Sequence, residues 1–224
     1  MTRDTTPPNV TIVIPQYNEV DLTIQAIDSL RKHESVLWPI LVVDNGSTAQ
    51  SLRKLNSIRS PGVSILSLPR AGLTAAWNSA VRQIATRQIA FLNNDTFSRG
   101  PWVEQLIAPI QHGLSPVAAV AIRRESQLSP SVELPAGWCF GVDRLALEVV
   151  GGFDEALVLY FSDTDFFLRI RQKFSECPWT LIPGLPISHL AHRTAHRLPN
   201  QSQIWLADRE RFRTRWERDS QNGN

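Results

Sequence analysis

The 224-residue chain is poor in several things, and each scarcity narrows what it can be. There are two cysteines, Cys139 and Cys177, in different predicted elements and without metal-ligand spacing. They read as buried thiols in a reducing compartment, although the sequence is also compatible with a bridge between them. No G-x-G-x-x-G follows the first predicted strand and no G-x-x-x-x-G-K-[ST] occurs, which argues against hydride transfer on a dinucleotide site and against P-loop hydrolysis. No apolar run approaches the roughly 20 residues of a membrane span. The net charge of +2 is too mild to point to nucleic acid, and no Lys/Arg-dense tract precedes the C-terminal region. The polar stretch from Met1 to Asn9, with two prolines, lacks the apolar core of a signal peptide. These absences predict a soluble, cytoplasmic protein with no transmembrane segment; peripheral contact at the inner face of a membrane is the alternative placement.

What is present is ordinary in amount and informative in order. An apolar content of 42% and a charged content of 20% suit a globular protein with a sizeable core. Three short apolar runs end on polar or acidic residues. Thr11–Pro15 leads into Gln16-Tyr17-Asn18-Glu19, Ile40–Val43 into Asp44-Asn45-Gly46-Ser47, and Ile89–Leu92 into Asn93-Asn94-Asp95-Thr96. Each is rich in β-branched or large apolar residues and bounded by turn formers, as buried strands are. Helical spacing between them (Leu22, Ile24, Ala26, Ile27, Leu30) implies strands alternating with helices, hence a parallel sheet. Ligands of such sheets bind beyond the carboxyl ends of the strands. The polar ends therefore mark the candidate site.

Further along, a helix is expected around Ser51–Ile58, a strand at Val63–Leu68, a helix at Ala71–Thr86, and a short helix opening at Pro101 and ending near Pro109. Val117–Ile122 reads as a strand and 123–135 as a loop long enough to touch substrate. Gly137–Val142 is a strand, and Asp143 caps a helix that Gly151-Gly152 stops. Ser162-Asp163-Thr164-Asp165 reads as a capping box with Ser162 as N-cap. Short extended pieces follow at Trp179–Ile182 and Pro186–Ser188. The tail Gln201–Arg218 reads as a solvated helix packed on the domain, with Trp205, Phe212 and Trp216 on one stripe.

Carboxylates at a sheet edge suit a divalent cation holding a diphosphate, because Mg²⁺ and Mn²⁺ prefer oxygen ligands shared with phosphates. Here the ordered motifs carry a resemblance. Ile-Val-Ile-Pro-Gln-Tyr-Asn-Glu, Val-Val-Asp-Asn-Gly-Ser-Thr, Phe-Leu-Asn-Asn-Asp-Thr, Gly151-Gly152-Phe153-Asp154-Glu155 and Asp163-Thr164-Asp165-Phe-Phe-Leu-Arg169 resemble a family 2 glycosyltransferase. The likeness covers roughly Val10 to His192 and is greatest to the rhamnosyltransferase-type branch. It implies an α/β GT-A nucleotide-diphospho-sugar transferase fold: a doubly wound, mostly parallel central sheet flanked by helices. Residues 1–9 would be a flexible start and 10–198 a single catalytic domain, with a nucleotide-sugar half at 10–98 and an acceptor half at 99–198. Residues 199–224 would form a C-terminal helix and tail.

The activity implied is metal-dependent, inverting transfer of a sugar from a nucleotide-diphospho-sugar to a hydroxyl of a saccharide or lipid-linked saccharide, in cell-envelope polysaccharide or glycolipid assembly. By the same resemblance Pro15, Tyr17, Glu19, Asp44 and Asn94 would bind the nucleotide, with Tyr17 offering a face to the base and Asp44 accepting its N–H. Asp95 and His189 would bind Mn²⁺ or Mg²⁺, with His192 the nearby alternative. Asp163 would be the base, with Asp165 the alternative, and Trp138 would contact the acceptor. Two departures stand out: the usual D-x-D metal motif is Asn93-Asn94-Asp95, and the acid usually preceding the base is Ser162.

Plainer roles exist for each group. Asp44 fits an Asx-turn, Asp95 can cap a turn, and Asp163 and Asp165 would stabilise a helix N-terminus in any protein. His189, even with His192 and His196 nearby, can be an ordinary satisfied histidine, and Trp77, Trp102 and Trp179 fit a core. The rival functions are a non-catalytic sugar-nucleotide-binding module, or a nucleotidyltransferase, which would need a basic, glycine-rich loop where Gln16–Glu19 stands.

Overall fold

The computed structural model describes residues 9–58, 60–128, 131–190 and 200–221. Its centre is a seven-stranded sheet built from β1 (Val10–Gln16), β2 (Ile40–Asn45), β3 (Val63–Leu68), β4 (Gln88–Leu92), β6 (Val117–Ala119), β9 (Cys139–Asp143) and β10 (Thr180–Leu181), in the order β10-β6-β9-β4-β1-β2-β3. Neighbours are parallel except β9, which runs antiparallel to both β4 and β6. Every residue of β2 and β4 is buried, which explains why those runs are continuously apolar rather than alternating.

Because successive side chains point to opposite faces, each strand feeds two cores. Val13, Val43, Phe91 and Phe140 pack on one face against α3 (Leu73–Gln83), α5 (Arg144–Val150), α6 (Ser162–Lys173) and α7 (Gln201–Gln221). Ile12, Ile14, Val42 and Leu92 pack on the other against α1 (Val20–His33), α2 (Ala49–Leu55) and α4 (Val103–Gln111). The first core is aromatic: Trp77, Phe91, Phe140, Phe153 and Phe166 meet ring to ring at 4.7–6.5 Å. Phe212 and Trp216 join it, so α7 is packed onto the sheet rather than appended to it.

Most elements fall where the sequence places them, including the Asp143 cap, which accepts from the Leu145 N–H, and the left-handed Gly151 that ends α5. The exceptions have identifiable causes. Pro109 lies inside α4, which runs on to Gln111, so the helix does not end at the proline. At its other end the Glu34 carboxylate accepts from the N–H groups of Trp102 and Val103, a cap supplied from α1's terminus that local sequence could not reveal. The stretch 123–135 is not a loop throughout: β7 (Ile122–Glu125) and β8 (Val132–Pro135) form an antiparallel ribbon. Glu125 and Leu134 turn inward from that ribbon, and one buried carboxylate among charged neighbours hides the strand alternation.

Ser162 is not the N-cap of α6. Phe161 holds that place in the left-handed region, with φ 59°, and Ser162 is the first helical residue. Its hydroxyl donates to the Leu159 carbonyl instead. Of the two cysteines, both free thiols, Cys139 is buried, and burial pushes its pKa up; Cys177 is exposed, contrary to the expectation for both. Among the described residues no helix is long and apolar enough to cross a membrane.

Candidate active site

The ends of β1 and β4 open on a cavity of about 560 Å³, whose far wall is made by the segment 158–163 and the start of α7. Pro15, Tyr17 and Asn94 line it, as do Asp95, Trp138 and Asp163, and His189 completes the set of expected residues found there. Glu19, Asp44 and Asp165 do not reach its wall.

Asp95 and His189 meet through a second ribbon. β5 (Thr96–Ser98) pairs antiparallel with β11 (Ile187–His189), and the register sets His189 opposite Thr96. This carries His189 Nε2 to 2.9 Å from Asp95 Oδ1. The Trp138 indole lies parallel to the imidazole, centroids 5.1 Å apart, and restricts the ring's orientation. Asn93 Nδ2 lies 3.4 Å from the same imidazole nitrogen. A carboxylate oxygen and an imidazole nitrogen thus converge at the cavity wall, a donor pair that fits a divalent cation whose other ligands come from a diphosphate and water. Among the described residues no group of three or more His, Cys, Asp or Glu side chains could hold a metal without such help. His192 and His196 lie outside the described residues.

On the β1–β2 side, Asp44 is buried at 1% exposure and already engaged: Oδ1 accepts from Gln16 Nε2 at 3.0 Å and Oδ2 from the Ser47 N–H at 3.2 Å. Because a carboxylate only accepts, it fixes which end of the Gln16 amide faces it. Gln16, which the sequence reading passed over, lines the cavity in front of Asp44. Tyr17 carries the Arg70 guanidinium over its ring, 3.6 Å from the centroid. Arg70 reaches that place because Gly46, at φ 76°, has no side chain: a Cβ there would stand 2.5 Å from the Arg70 backbone nitrogen. Asn94 donates to Thr23 Oγ1 at 3.2 Å and to the Glu19 carbonyl, so Glu19 meets it through its backbone.

The two candidate bases are now easy to tell apart. Asp165 is fully buried, accepting from Arg169 Nε at 2.8 Å and Trp216 Nε1 at 3.1 Å, with Arg215 at 3.2 Å. It ties α6 to α7 and does not fold back on its own turn, as a capping box would require. Asp163 faces the cavity and is held by three donors. Its Oδ1 accepts from Arg123 at 3.0 Å and from the Thr164 N–H at 2.9 Å, and its Oδ2 from the Gly137 N–H at 3.0 Å. Gly137 permits this approach, since a Cβ would lie 2.5 Å from that oxygen. Arg123, on the β7–β8 ribbon, also pairs with buried Glu125 at 3.1 Å and contacts the Thr164 hydroxyl. Asp163 raises the Arg123 pKa above its ordinary value, burial works against this, and Glu125 adds to it. Arg123 was invisible as a site residue. The only sequence signal was the unusual length of the segment carrying it.

The chain is 31% identical over 101 residues to the succinoglycan biosynthesis protein ExoO of Rhizobium meliloti, covering 45% of this chain and 29% of that protein. It is 30% identical over 99 residues to a chondroitin synthase of Pasteurella multocida, covering 43% of this chain and 10% of that protein. It therefore spans less than a third of the length of either. Among solved structures, the mannosyltransferase PcManGT from Pyrobaculum calidifontis, in complex with GDP-Man and Mn²⁺, superposes with a TM-score of 0.61 at 18% identity, covering 85% of this chain and 59% of that one. The glucosyl-3-phosphoglycerate synthase of Mycobacterium tuberculosis, in complex with Mn²⁺, UDP and phosphoglyceric acid, does so with 0.66 at 16%, covering 89% and 78%. At such identities the likeness is one of fold, the GT-A arrangement of a mostly parallel sheet between helices. The family model described as glycosyl transferase family 2 matches residues 11–167, from β1 into α6, and so takes in both sides of the cavity. The chain belongs to glycosyl transferase family 2.

Proposed function

We propose that this protein is an inverting glycosyltransferase that moves a sugar from a nucleotide-diphospho-sugar to an acceptor hydroxyl in polysaccharide or glycolipid assembly. One observation carries the reading: the Asp95–His189 pair and the Asp163 carboxylate, brought together from distant parts of the chain, line the same cavity. Tyr17, with Arg70 and Gln16, forms the nucleotide end, and Asp44 supports it from behind by orienting the Gln16 amide. Asp95 and His189 would hold a divalent cation, Mn²⁺ or Mg²⁺, which when bound neutralises charge on the departing diphosphate.

Asp163 acts as the general base. Its Oδ1 is taken by Arg123 and the Thr164 N–H, whereas Oδ2 has, among the described residues, the Gly137 N–H alone. Oδ2 is therefore the atom that takes the acceptor proton as the hydroxyl oxygen attacks the anomeric carbon in line and inverts it. Arg123 and the two backbone donors keep the carboxylate aimed through the reaction. Residues up to about 98, joined by His189, bind the donor, and the rest of the chain from 99 onward receives the acceptor. The two solved relatives, each a Mn²⁺ complex with a nucleotide or nucleotide sugar, support the donor class and the metal. The chondroitin and succinoglycan proteins support a polysaccharide product.

A screen of UDP-, GDP- and dTDP-sugars for thermal stabilisation tests this directly, since a ligand bound only to the folded state raises its stability by mass action. At least one donor is expected to raise Tm in Mn²⁺ and to do so less in chelator. No shift with any donor would reject the reading.

A further inference from the structure

The family match ends at residue 167, yet part of the cavity wall comes from α7, which begins at Gln201. That contribution is built in. The fully buried Asp208 carboxylate accepts from three consecutive backbone N–H groups, those of Val158, Leu159 and Tyr160, at 3.0, 2.9 and 2.9 Å. A carboxylate saturated by backbone donors is a strong, directional clamp. It fixes the segment that runs directly into Phe161 and Asp163. Phe161, in its left-handed conformation, stacks on Phe212 at 4.9 Å and packs on Trp205 at 6.3 Å, so α7 also sets the turn that aims the candidate base.

Two side chains of this wall keep a part that packing does not use. Trp205 is only half-buried and turns part of its indole to the cavity, with Arg209 over the ring at 5.3 Å. Tyr160 lines the cavity too, and its shielded hydroxyl has no hydrogen-bond partner among the described residues. Leaving such a group unpaired is unfavourable, and a small movement onto a ligand hydroxyl would relieve it. A pyranose matches the combination. It offers a face of polarised C–H bonds to the negative face of an indole, and a rim of hydroxyls to a phenol and a carboxylate.

We infer that α7 and the segment it clamps form the acceptor subsite, in which a pyranose ring lies against Trp205, with Tyr160 and Asp163 meeting its hydroxyls. The inference rests on the glycosyltransferase reading of the cavity. It assigns acceptor selection to a helix outside the family match, while the donor end at Tyr17 stays independent of it.

Saturation-transfer difference NMR with a panel of methyl pyranosides of gluco, galacto, manno and rhamno configuration tests it, on the full chain with Mn²⁺ and either UDP or GDP. Methyl glycosides add no aromatic aglycone that could stack by itself. At least one is expected to receive saturation at its ring C–H protons. Trp205→Ala should weaken that binding about tenfold, and Trp205→Phe should keep most of it. Nucleotide affinity, read by calorimetry on the same variants, should not change. Pyranoside binding untouched by Trp205→Ala, no pyranoside bound at all, or a matching loss of nucleotide affinity would each overturn the assignment. If neither nucleotide binds the unmodified chain, the broader reading of the cavity fails instead.

Discussion

The two sides of the cavity are built in different ways. The proposed donor side is assembled from strand ends: Gln16 ends β1 and Tyr17 follows it, Asp44 lies next to the end of β2, and Asp95 follows β4, all within one parallel block of the sheet. The proposed acceptor side is assembled from pieces that meet only in the folded chain. Arg123 comes from a ribbon, Gly137 from the approach to β9, Asp163 from the first turn of α6, and Asp208 from α7. A strand-end site tolerates changes elsewhere because each residue is carried by a strand buried on both faces. An acceptor site held by long-range hydrogen bonds can be re-shaped by exchanging one distant element, which suits a family whose members share a fold at low identity.

Asp163 and Asp165 put that contrast within a single helical turn, and the largest effect expected separates them. Asp163→Asn should lower transfer by about 10²–10⁴-fold, the scale of general-base loss, while nucleoside diphosphate binding stays intact. Steady-state rates and calorimetry on one preparation would check both. Asp165→Asn should instead act through stability. It leaves the buried Arg169 guanidinium without its carboxylate, a change worth about 3 kcal/mol, or on the order of 10 °C in Tm for a chain of this size. A stable, inactive Asp165→Asn beside an active Asp163→Asn would mean the two carboxylates had been assigned in reverse.

The smaller test lies on the donor side. Asp44→Ala removes the acceptor that holds both Gln16 Nε2 and the Ser47 N–H, so nucleoside diphosphate affinity should fall by roughly 1–3 kcal/mol without loss of the fold. Unchanged affinity in calorimetry would confine Asp44 to its turn and leave Gln16 to stand alone.

What could be read in the sequence follows the same division. Strands buried on both faces announce themselves as apolar runs, and their polar ends point to the site, so Tyr17, Asp95 and the sheet itself were legible. The pairing of Asp95 with His189 was legible only through resemblance, because it depends on the register of β5 with β11, two three-residue strands too short to carry a pattern. Arg123 was hidden because Glu125 turns inward where alternation would call for an apolar residue. Reading Ser162 as the cap failed because Phe161, held by Phe212 and Trp205, adopts a left-handed conformation that local propensity disfavours for an aromatic residue. In each case a tertiary contact outweighed the local rule.

The central claim is that one cavity, with Asp95 and His189 at its metal end and Asp163 at its acceptor end, transfers sugar from a nucleotide donor. The most direct measurement is release of nucleoside diphosphate from UDP-, GDP- and dTDP-sugars by the full chain, in Mn²⁺ and in chelator, beside Asp95→Ala. The account predicts release from at least one donor in Mn²⁺, little in chelator, and little from Asp95→Ala in either. Equal release in Mn²⁺ and chelator, or full release from Asp95→Ala, would contradict it.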